Sequence, residues 1–331
     1  MSRVVVIGAG AWGCTFAQVA ALAGSDVTLV CHTAAQAGTL GATRHDARHL
    51  GDIALPQSVH VTHVDDPAWA DGATLVVIAL PSRAISTEAP RIAAALPAGC
   101  GVLSLTKGLE PGTGRLLSAV WCDALAPGVP FAVLSGPNHA EEIAAGQPAA
   151  AVVSGDLALA ELVQATVSGP AFRVYVNGDL AGVELCGAAK NVIALAAGMS
   201  DGLGLGDNAK AALITRGLAE MSRLGASSGC NDATFRGLAG MGDLVATCTS
   251  RHSRNRRAGE LIATGTPADQ VEAVIGQTVE GLATVRSLLA RAEGVGVELP
   301  ISAQVAAAAF EGRSPAECLR ALMSRAPASE A

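Results

Sequence analysis

The six residues Gly8-Ala9-Gly10-Ala11-Trp12-Gly13 constrain the fold of this chain more than any other segment. They follow directly on the apolar run Val4-Val5-Val6-Ile7 and open a helical pattern, Ala11 to Ala23, that stops at Gly24. A strand, a glycine turn and a helix in that order predict a dinucleotide site. Gly8 permits the tight turn, Gly10 lets a pyrophosphate approach the backbone, and Gly13 lets helix and strand pack closely, with the helix N-terminus facing the anion. A glycine turn alone is also compatible with an ordinary strand-to-helix connection; its placement between these two elements favours the dinucleotide.

Seven more β-type runs follow, at 27–31, 59–62, 74–79, 101–105, 131–134, 150–153 and 172–176, several of them separated by helical stretches. Apolar runs that are continuous rather than alternating predict a mostly parallel sheet covered on both faces. After Asn177-Gly178 the β-branched runs stop, and helical patterns take over at 180–199, 207–224, 278–292 and 302–311. The predicted class is therefore α/β: a doubly wound sheet domain over 1–177, followed by an all-α domain over 178–331. A chain of 331 residues, half of them apolar and 15% charged, exceeds the size of one core and excludes disorder. No repeat or low-complexity linker interrupts it, and the tail after Arg325 reads as frayed.

The net charge of −7 excludes a general field for nucleic acid or an anionic membrane, so any anion must be captured locally. Residues 4–25 carry no charge, yet Gly8, Gly10, Gly13, Thr15 and Gln18 interrupt them, which argues against a membrane span. Arg3, the apolar run and Ala21-Leu22-Ala23 mimic a secretory signal, but removing them would delete a complete strand, turn and helix. Eight cysteines without a C-x-x-C pair read as small buried thiols in a reducing compartment, so the expected location is cytoplasmic. His45 and His49 would share a helix face, but no third ligand lies near them and His60 and His63 fall in or beside a strand; no metal is expected. Nor is there a G-x-S-x-G elbow or a Cys/His pair for acyl transfer.

Lysine is rare: of 22 basic residues only Lys107, Lys190 and Lys210 are lysine. Lysine offers what arginine lacks, a compact ammonium able to transfer a proton. Lys107 follows the apolar run 101–105, where open α/β sheets bind ligands; a solvated loop lysine is the plain alternative. Lys190-Asn191 lies among Ala188, Ala189, Val192 and Ile193, surroundings that penalise an ammonium unless it snorkels to the surface. The segment Gly240-Met241-Gly242-Asp243 places an acid beside glycines, and Thr247 and Arg251-His252-Ser253-Arg254-Asn255-Arg256-Arg257 follow it. Those arginines fit a solvated face, a nucleic-acid patch or a phosphate pocket. The nucleic-acid patch is disfavoured because a basic surface and interleaved aromatics are lacking; the pocket is preferred for Arg254 and Asn255, and a surface position for Arg251, Arg256 and Arg257. Where an NAD site usually carries an acid for the ribose 2′-hydroxyl, this chain reads Val30-Cys31-His32-Thr33. NADPH, contacted by His32, is therefore expected to be accepted, with NADH as the alternative.

The glycine turn combines with Thr106-Lys107-Gly108-Leu109-Glu110, Ser135-Gly136-Pro137-Asn138-His139-Ala140-Glu141-Glu142, Gly187-Ala188-Ala189-Lys190-Asn191-Val192 and Ser253-Arg254-Asn255-Arg256-Arg257. Two longer blocks accompany them, 197–210 and 237–244. Together, over about residues 3–320, they resemble the bacterial NAD(P)-dependent glycerol-3-phosphate dehydrogenases. The resemblance implies a Rossmann-type domain followed by a helical one, a homodimer, and interconversion of dihydroxyacetone phosphate and sn-glycerol 3-phosphate for phospholipid synthesis, with NADPH or NADH as cofactor. It implies that Lys190 exchanges the proton, that Lys107 contacts substrate and cofactor as a second cation, and that Asp243 orients Lys190. It further implies that Asn191 and Thr247 complete the polar shell, that Arg254 and Asn255 hold the phosphate, with Ser253 beside them, and that Gly136 and Asn138 line the substrate. Gly8, Gly10, Ala11, Trp12, Gly13, His32, Ala140, Arg254, Val279 and Glu280 match cofactor-lining positions. Asn138-His139 stands where Ser or Thr followed by Phe is commoner, Ala11 replaces a frequent Ser, and His32-Thr33 offers no Arg beside the ribose. Lys210 is read as structural. Two other readings are a β-hydroxyacid dehydrogenase acting on a carboxylate substrate, and a nucleotide-sensing module without turnover.

Overall fold

A computed structural model describes residues 2–46, 50–51 and 53–325. His49 of the His45/His49 pair and the tail after Arg325 lie outside the described residues. The chain forms two compact units: Met1–Lys107 with Leu116–Glu184, and Gly108–Arg115 with Leu185–Ala331.

All eight apolar runs of the first unit are strands of one sheet: β1 (Arg3–Ile7), β2 (Asp26–Cys31), β3 (His60–His63), β4 (Leu75–Ile78), β5 (Gly101–Ser104), β6 (Phe131–Ser135), β7 (Ala149–Gly155) and β8 (Phe172–Asn177). Their order is β3-β2-β1-β4-β5-β6-β7-β8, and every neighbouring pair is parallel except β6 with β7. The first six strands have the order of a doubly wound nucleotide-binding sheet. β1 pairs with β2 on one side and β4 on the other, so the crossovers diverge at its C-terminal end. That divergence opens the crevice where such sheets bind ligands. Val4, Val5 and Val6 are fully buried on both faces, which explains why their run does not alternate. β8 does alternate, with Phe172 and Val174 inside and Arg173 and Tyr175 outside, as an edge strand covered on one face should.

The second unit is helical. Its long helix Leu180–Gly202, which begins in the first unit, is apolar and long enough to cross a membrane by length and composition, but 89% of its apolar window is buried inside the protein. It is a core helix. The helices Asp207–Ser227, Arg254–Ala263, Glu280–Gly294 and Pro300–Phe310 surround this core with shorter ones. Residues 108–115 belong here because Arg291 Nη1 donates to the Gly114 carbonyl at 3.3 Å, and a Cβ at Gly114 would lie 2.7 Å from the Ser287 carbonyl oxygen.

All eight cysteines are free; six are buried, Cys230 is half-buried and Cys122 is exposed. Burial pushes the Cys31 and Cys100 thiols up to about 11 and the Cys248 thiol up to about 12, so these groups stay protonated near neutrality. Brief iodoacetamide treatment of the folded protein at pH 8 should therefore label Cys122 first and Cys230 more slowly. Peptide mass spectrometry checks this, and the other six should react only after denaturation.

Candidate active site

The glycine turn separates what the protein requires from what a ligand requires. Gly8 has φ +109°, and a Cβ there would lie 2.5 Å from the Ala79 carbonyl oxygen. A Cβ at Gly13 would lie 1.8 Å from the Gly8 carbonyl oxygen, so helix Ala11–Leu22 leaves β1 closely only because residue 13 has no side chain. Gly10 is different: its φ is an ordinary −89°, and a Cβ there would meet nothing within 4 Å. Neither sterics nor backbone conformation inside the protein demands glycine at position 10. Space is kept there beside a helix N-terminus that has no side-chain cap and no acidic first-turn residue. Those features fit a dinucleotide pyrophosphate, which needs exposed N–H donors and a bare backbone.

His32 follows β2 and is exposed; its N–H donates to Gln36 Oε1 at 3.2 Å. Gln36 Nε2 in turn donates to the Ala9 carbonyl at 3.1 Å, tying the end of β2 to the glycine turn. The sequence reading missed Gln36, since nothing in a lone glutamine inside a helix signals such a bridge. Ala11 opens the helix, and Trp12 beside it packs edgewise on Phe16 and Phe172. The Trp12 Nε1 is buried without a hydrogen-bond partner among the described residues. Ala140 starts helix Ala140–Ala144, and its carbonyl accepts from Thr15 Oγ1 at 3.2 Å.

Lys107 lies just beyond β5. Its Nζ donates to the Gly136 carbonyl at 2.9 Å and to Asn138 Oδ1 at 2.7 Å, joining three predicted substrate residues. Gly136 has φ +130°, and a Cβ there would press to 3.0 Å from Ala151 Cα. The departure at 138 thus has a defined place. The Asn138 oxygen holds the lysine, while its Nδ2 is buried with no partner among the described residues, a donor available to a ligand.

In the second unit the helix Leu180–Gly202 carries Lys190 into a buried polar cluster. Lys190 is 6% exposed, and its Nζ donates to Asp243 Oδ1 at 2.8 Å and to Thr247 Oγ1 at 2.7 Å. Thr247 Oγ1 lies 3.2 Å from the same carboxylate oxygen. Asp243 opens helix Asp243–Thr249 directly after the π-helical turn Leu238–Gly242, and Thr247 lies one turn further on the same face. An ammonium has three donors, and this arrangement uses two of them. The third N–H has no acceptor among the described residues.

Asn191 and Asn255 form a second buried link. Asn255 Nδ2 donates to Asn191 Oδ1 at 2.9 Å, and Asn255 Oδ1 accepts from the Gly281 N–H at 2.8 Å. The bond exists because helices Leu180–Gly202 and Arg254–Ala263 meet backbone to backbone. A Cβ at Gly198 would lie 1.8 Å from the Arg256 carbonyl oxygen, and one at Gly259 would lie 2.0 Å from the Leu195 carbonyl oxygen. Ser253 caps the second helix, accepting from the Arg256 N–H at 3.2 Å. Arg254, its first residue, is exposed and has no hydrogen bond or ion pair among the described residues. Arg256 is not the solvated side chain expected: it is half-buried and paired with Asp201 and Glu260, because its place on the helix turns it toward the core helix. Lys210 also pairs with Asp201, at 2.6 Å, in keeping with the structural reading. Val279 is fully buried and its N–H is taken by Glu272 Oε1, whereas Glu280, opening helix Glu280–Gly294, is half-buried. Among the described residues no group of three or more His, Cys, Asp or Glu could hold a metal ion.

Comparison with known proteins covers both units. The family model described as the NAD-dependent glycerol-3-phosphate dehydrogenase N-terminus matches residues 3–158, and that of the C-terminus matches residues 179–320. A glycerol-3-phosphate dehydrogenase (NAD(P)+) of Parafrankia sp. is 47% identical over 100% of this chain and 99% of its own length. One of Thermus thermophilus is 48% identical over 99% of this chain and 100% of its own. The crystal structure of glycerol-3-phosphate dehydrogenase from Coxiella burnetii superposes with a TM-score of 0.93 at 38% identity, covering 98% of this chain and 99% of that one.

The glycines yield a paired test. Gly13→Ala forces a Cβ into a backbone carbonyl and should cost about 1–3 kcal/mol, read as a lowered Tm, along with cofactor binding. Gly10→Ala meets no protein atom, so it should leave Tm within a degree or two while raising the Kd for NAD(P)H; calorimetry of the two variants separates the effects.

Proposed function

The chain belongs to the NAD-dependent glycerol-3-phosphate dehydrogenase family, and we propose that Lys190 is the proton-exchanging group of its reaction. The protein is an NAD(P)-dependent oxidoreductase acting on the CH–OH group of glycerol 3-phosphate. The reading proposed for the site is the reduction of dihydroxyacetone phosphate to sn-glycerol 3-phosphate, and its reverse. NAD(P)H, when bound, supplies the hydride taken up by the carbonyl carbon. Gly8, Gly10, Ala11, Trp12 and Gly13 bind the cofactor's pyrophosphate side and His32 its ribose; Ala140, Val279, Glu280, Lys107 and Arg254 complete the cofactor set.

The observation that carries the reading is the third donor of a buried, twice-anchored ammonium. Aimed at the ketone oxygen, that N–H gives up its proton as the oxygen becomes an alcohol, and in oxidation the neutral amine takes the proton back. Asp243 and Thr247 hold Nζ in one position, so no reorientation is needed at the moment of transfer. Lys107 contributes a second cation against the developing alkoxide and, with Gly136 and Asn138, contacts the substrate. Arg254 and Asn255, beside Ser253 and Asn191, hold the phosphate; a dianion suits the two-pronged guanidinium, and Arg254 has no protein partner competing for it. A homodimer working in the cytoplasm and feeding phospholipid synthesis completes the proposal.

Lys190→Ala should leave the Kd for NADPH nearly unchanged while turnover falls at least about a hundredfold, since a positioned general acid contributes about 10²- to 10⁴-fold. A near-normal rate in an NADPH absorbance assay with dihydroxyacetone phosphate refutes the role. Arg254→Ala should chiefly raise KM for the phosphorylated substrate; equal loss with an unphosphorylated analogue such as glyceraldehyde argues against phosphate recognition. Because no carboxylate ends β2, titrating the protein with each reduced cofactor should give a tighter Kd for NADPH than for NADH. Equal values contradict that preference and leave the fold untouched.

A further inference from the structure

Asp201 stands outside the set of residues just described, yet three helices of the second unit meet at its carboxylate. It lies near the C-terminal end of helix Leu180–Gly202 and its side chain is 12% exposed. Oδ1 accepts from Lys210 Nζ of helix Asp207–Ser227 at 2.6 Å, and Oδ2 accepts from Arg256 Nε of helix Arg254–Ala263 at 2.6 Å. Arg256 uses its Nη2 on Glu260 at 2.7 Å, one turn along its own helix. Both arms of the carboxylate are short and charge-assisted, the strongest class of side-chain hydrogen bond.

This hub is placed where rotation of one helix matters most. Gly198 and Gly259 bring backbone against backbone where helices Leu180–Gly202 and Arg254–Ala263 cross, and at Gly202 a Cβ would lie 2.7 Å from the Ala263 Cβ. A smooth backbone contact fixes the distance between two helices, but it does little to fix their sliding or rotation. Ridges packed into grooves usually supply that register, and glycine at 198, 202 and 259 lowers the ridges here. Two side-chain links cross the seam: Asn255 to Asn191 at one end and Arg256 to Asp201 further along. Arg254 and Asn255 immediately precede Arg256. Fixing Arg256 therefore fixes the first turn from which the guanidinium of Arg254 extends.

We propose that Asp201 is a positioning residue for phosphate recognition: by clamping Arg256 and Lys210 it sets the register of helix Arg254–Ala263 and so the reach of Arg254 and Asn255 toward the substrate phosphate. This rests on the assignment of Arg254 and Asn255 to the phosphate. It gives the rare lysine at 210 a purpose as well, a compact ammonium that shares the carboxylate with a guanidinium. Orientation is costly to lose, since a misplacement of about 1 Å reduces an enzymatic rate by up to about a hundredfold.

The test is steady-state kinetics with dihydroxyacetone phosphate on purified full-length variants, with Tm and the Kd for NADPH measured on each. Asp201→Asn keeps the shape and weakens both arms; Asp201→Glu keeps the charge and displaces the arms by one methylene. Both should raise KM about tenfold, with a smaller fall in kcat and with Kd for NADPH unchanged. Arg256→Met should raise KM similarly, and the double variant Asp201→Asn/Arg256→Met should fall clearly short of the sum of the two single effects, because the Asp201–Arg256 contact is lost in both. Several results overturn the inference: a lowered Tm with unchanged KM in all variants, an additive double variant, or a reduced KM in Asp201→Asn with a normal one in Asp201→Glu. The last would make Asp201 only a field charge near an anion. If Arg254→Ala itself leaves KM unaltered, the phosphate assignment fails and the inference with it; if Arg254→Ala raises KM and the Asp201 variants do not, the inference alone is overturned.

Discussion

A lysine ammonium that is 6% exposed can persist only if its charge is compensated, and the Lys190–Asp243 pair meets that condition. Removing either partner from a buried pair typically costs about 3–5 kcal/mol, because the other is left charged and alone. Much of the second unit's construction serves this pair. The apolar run around Lys190 builds a core helix, and the turn Leu238–Gly242 delivers Asp243 at the start of a helix so that Thr247 follows on the same face. Cys248, the next residue, is buried within reach of both charges, and burial keeps its thiol protonated. The pair and Thr247 take two of the three Lys190 donors and leave one N–H uncommitted.

The first unit obeys a different constraint, that of backbone approach. Gly13 permits the helix to leave the strand, and Gly8 permits the turn; both are explained by atoms of the protein itself. Gly10 has no such explanation inside the chain, and the space it leaves lies where N–H groups of a helix end are unmatched. Glycine there is a residue choice that the fold itself does not need. The Asn138 amide repeats the pattern: its oxygen serves Lys107, while its buried Nδ2 has no described partner.

These two kinds of constraint account for what the sequence alone conveyed. The inner strands were legible because a strand buried on both faces must be continuously apolar, the edge strands β3 and β8 through their β-branched and aromatic residues, and the long helices because an apolar stripe repeats over several turns. Helices Asp232–Arg236, Asp243–Thr249 and Val271–Ile275 span fewer than three turns and carry no stripe long enough to read. Lys190, Asp243 and Thr247 could be picked out as chemically suggestive residues, but 53 residues separate the lysine from the acid, and no spacing rule joins them. Arg256 was read as surface because arginine clusters usually are. Its partner Asp201 lies 55 residues away on another helix, so only the crossing of the two helices shows the pairing. Gln36 was invisible for the same reason: its bridge depends on β2 and the glycine turn standing side by side.

The division of labour proposed for Arg254 and Lys190 follows from what each would have to do. A phosphate dianion arrives hydrated, and an exposed guanidinium can meet it without first being stripped from a protein partner; the energetic gain comes when both lose water together. Proton transfer asks for the reverse. The donor must already be dry and fixed before the substrate oxygen gathers charge, because water that could reorient would weaken its field at that moment. An exposed lysine at position 190 could meet an anion as the proposed phosphate residue Arg254 would, yet it would have no reason to favour the transition state over the ground state. In the proposed mechanism, burial with Asp243 to make it tolerable is what gives Lys190 one fixed direction in which to act.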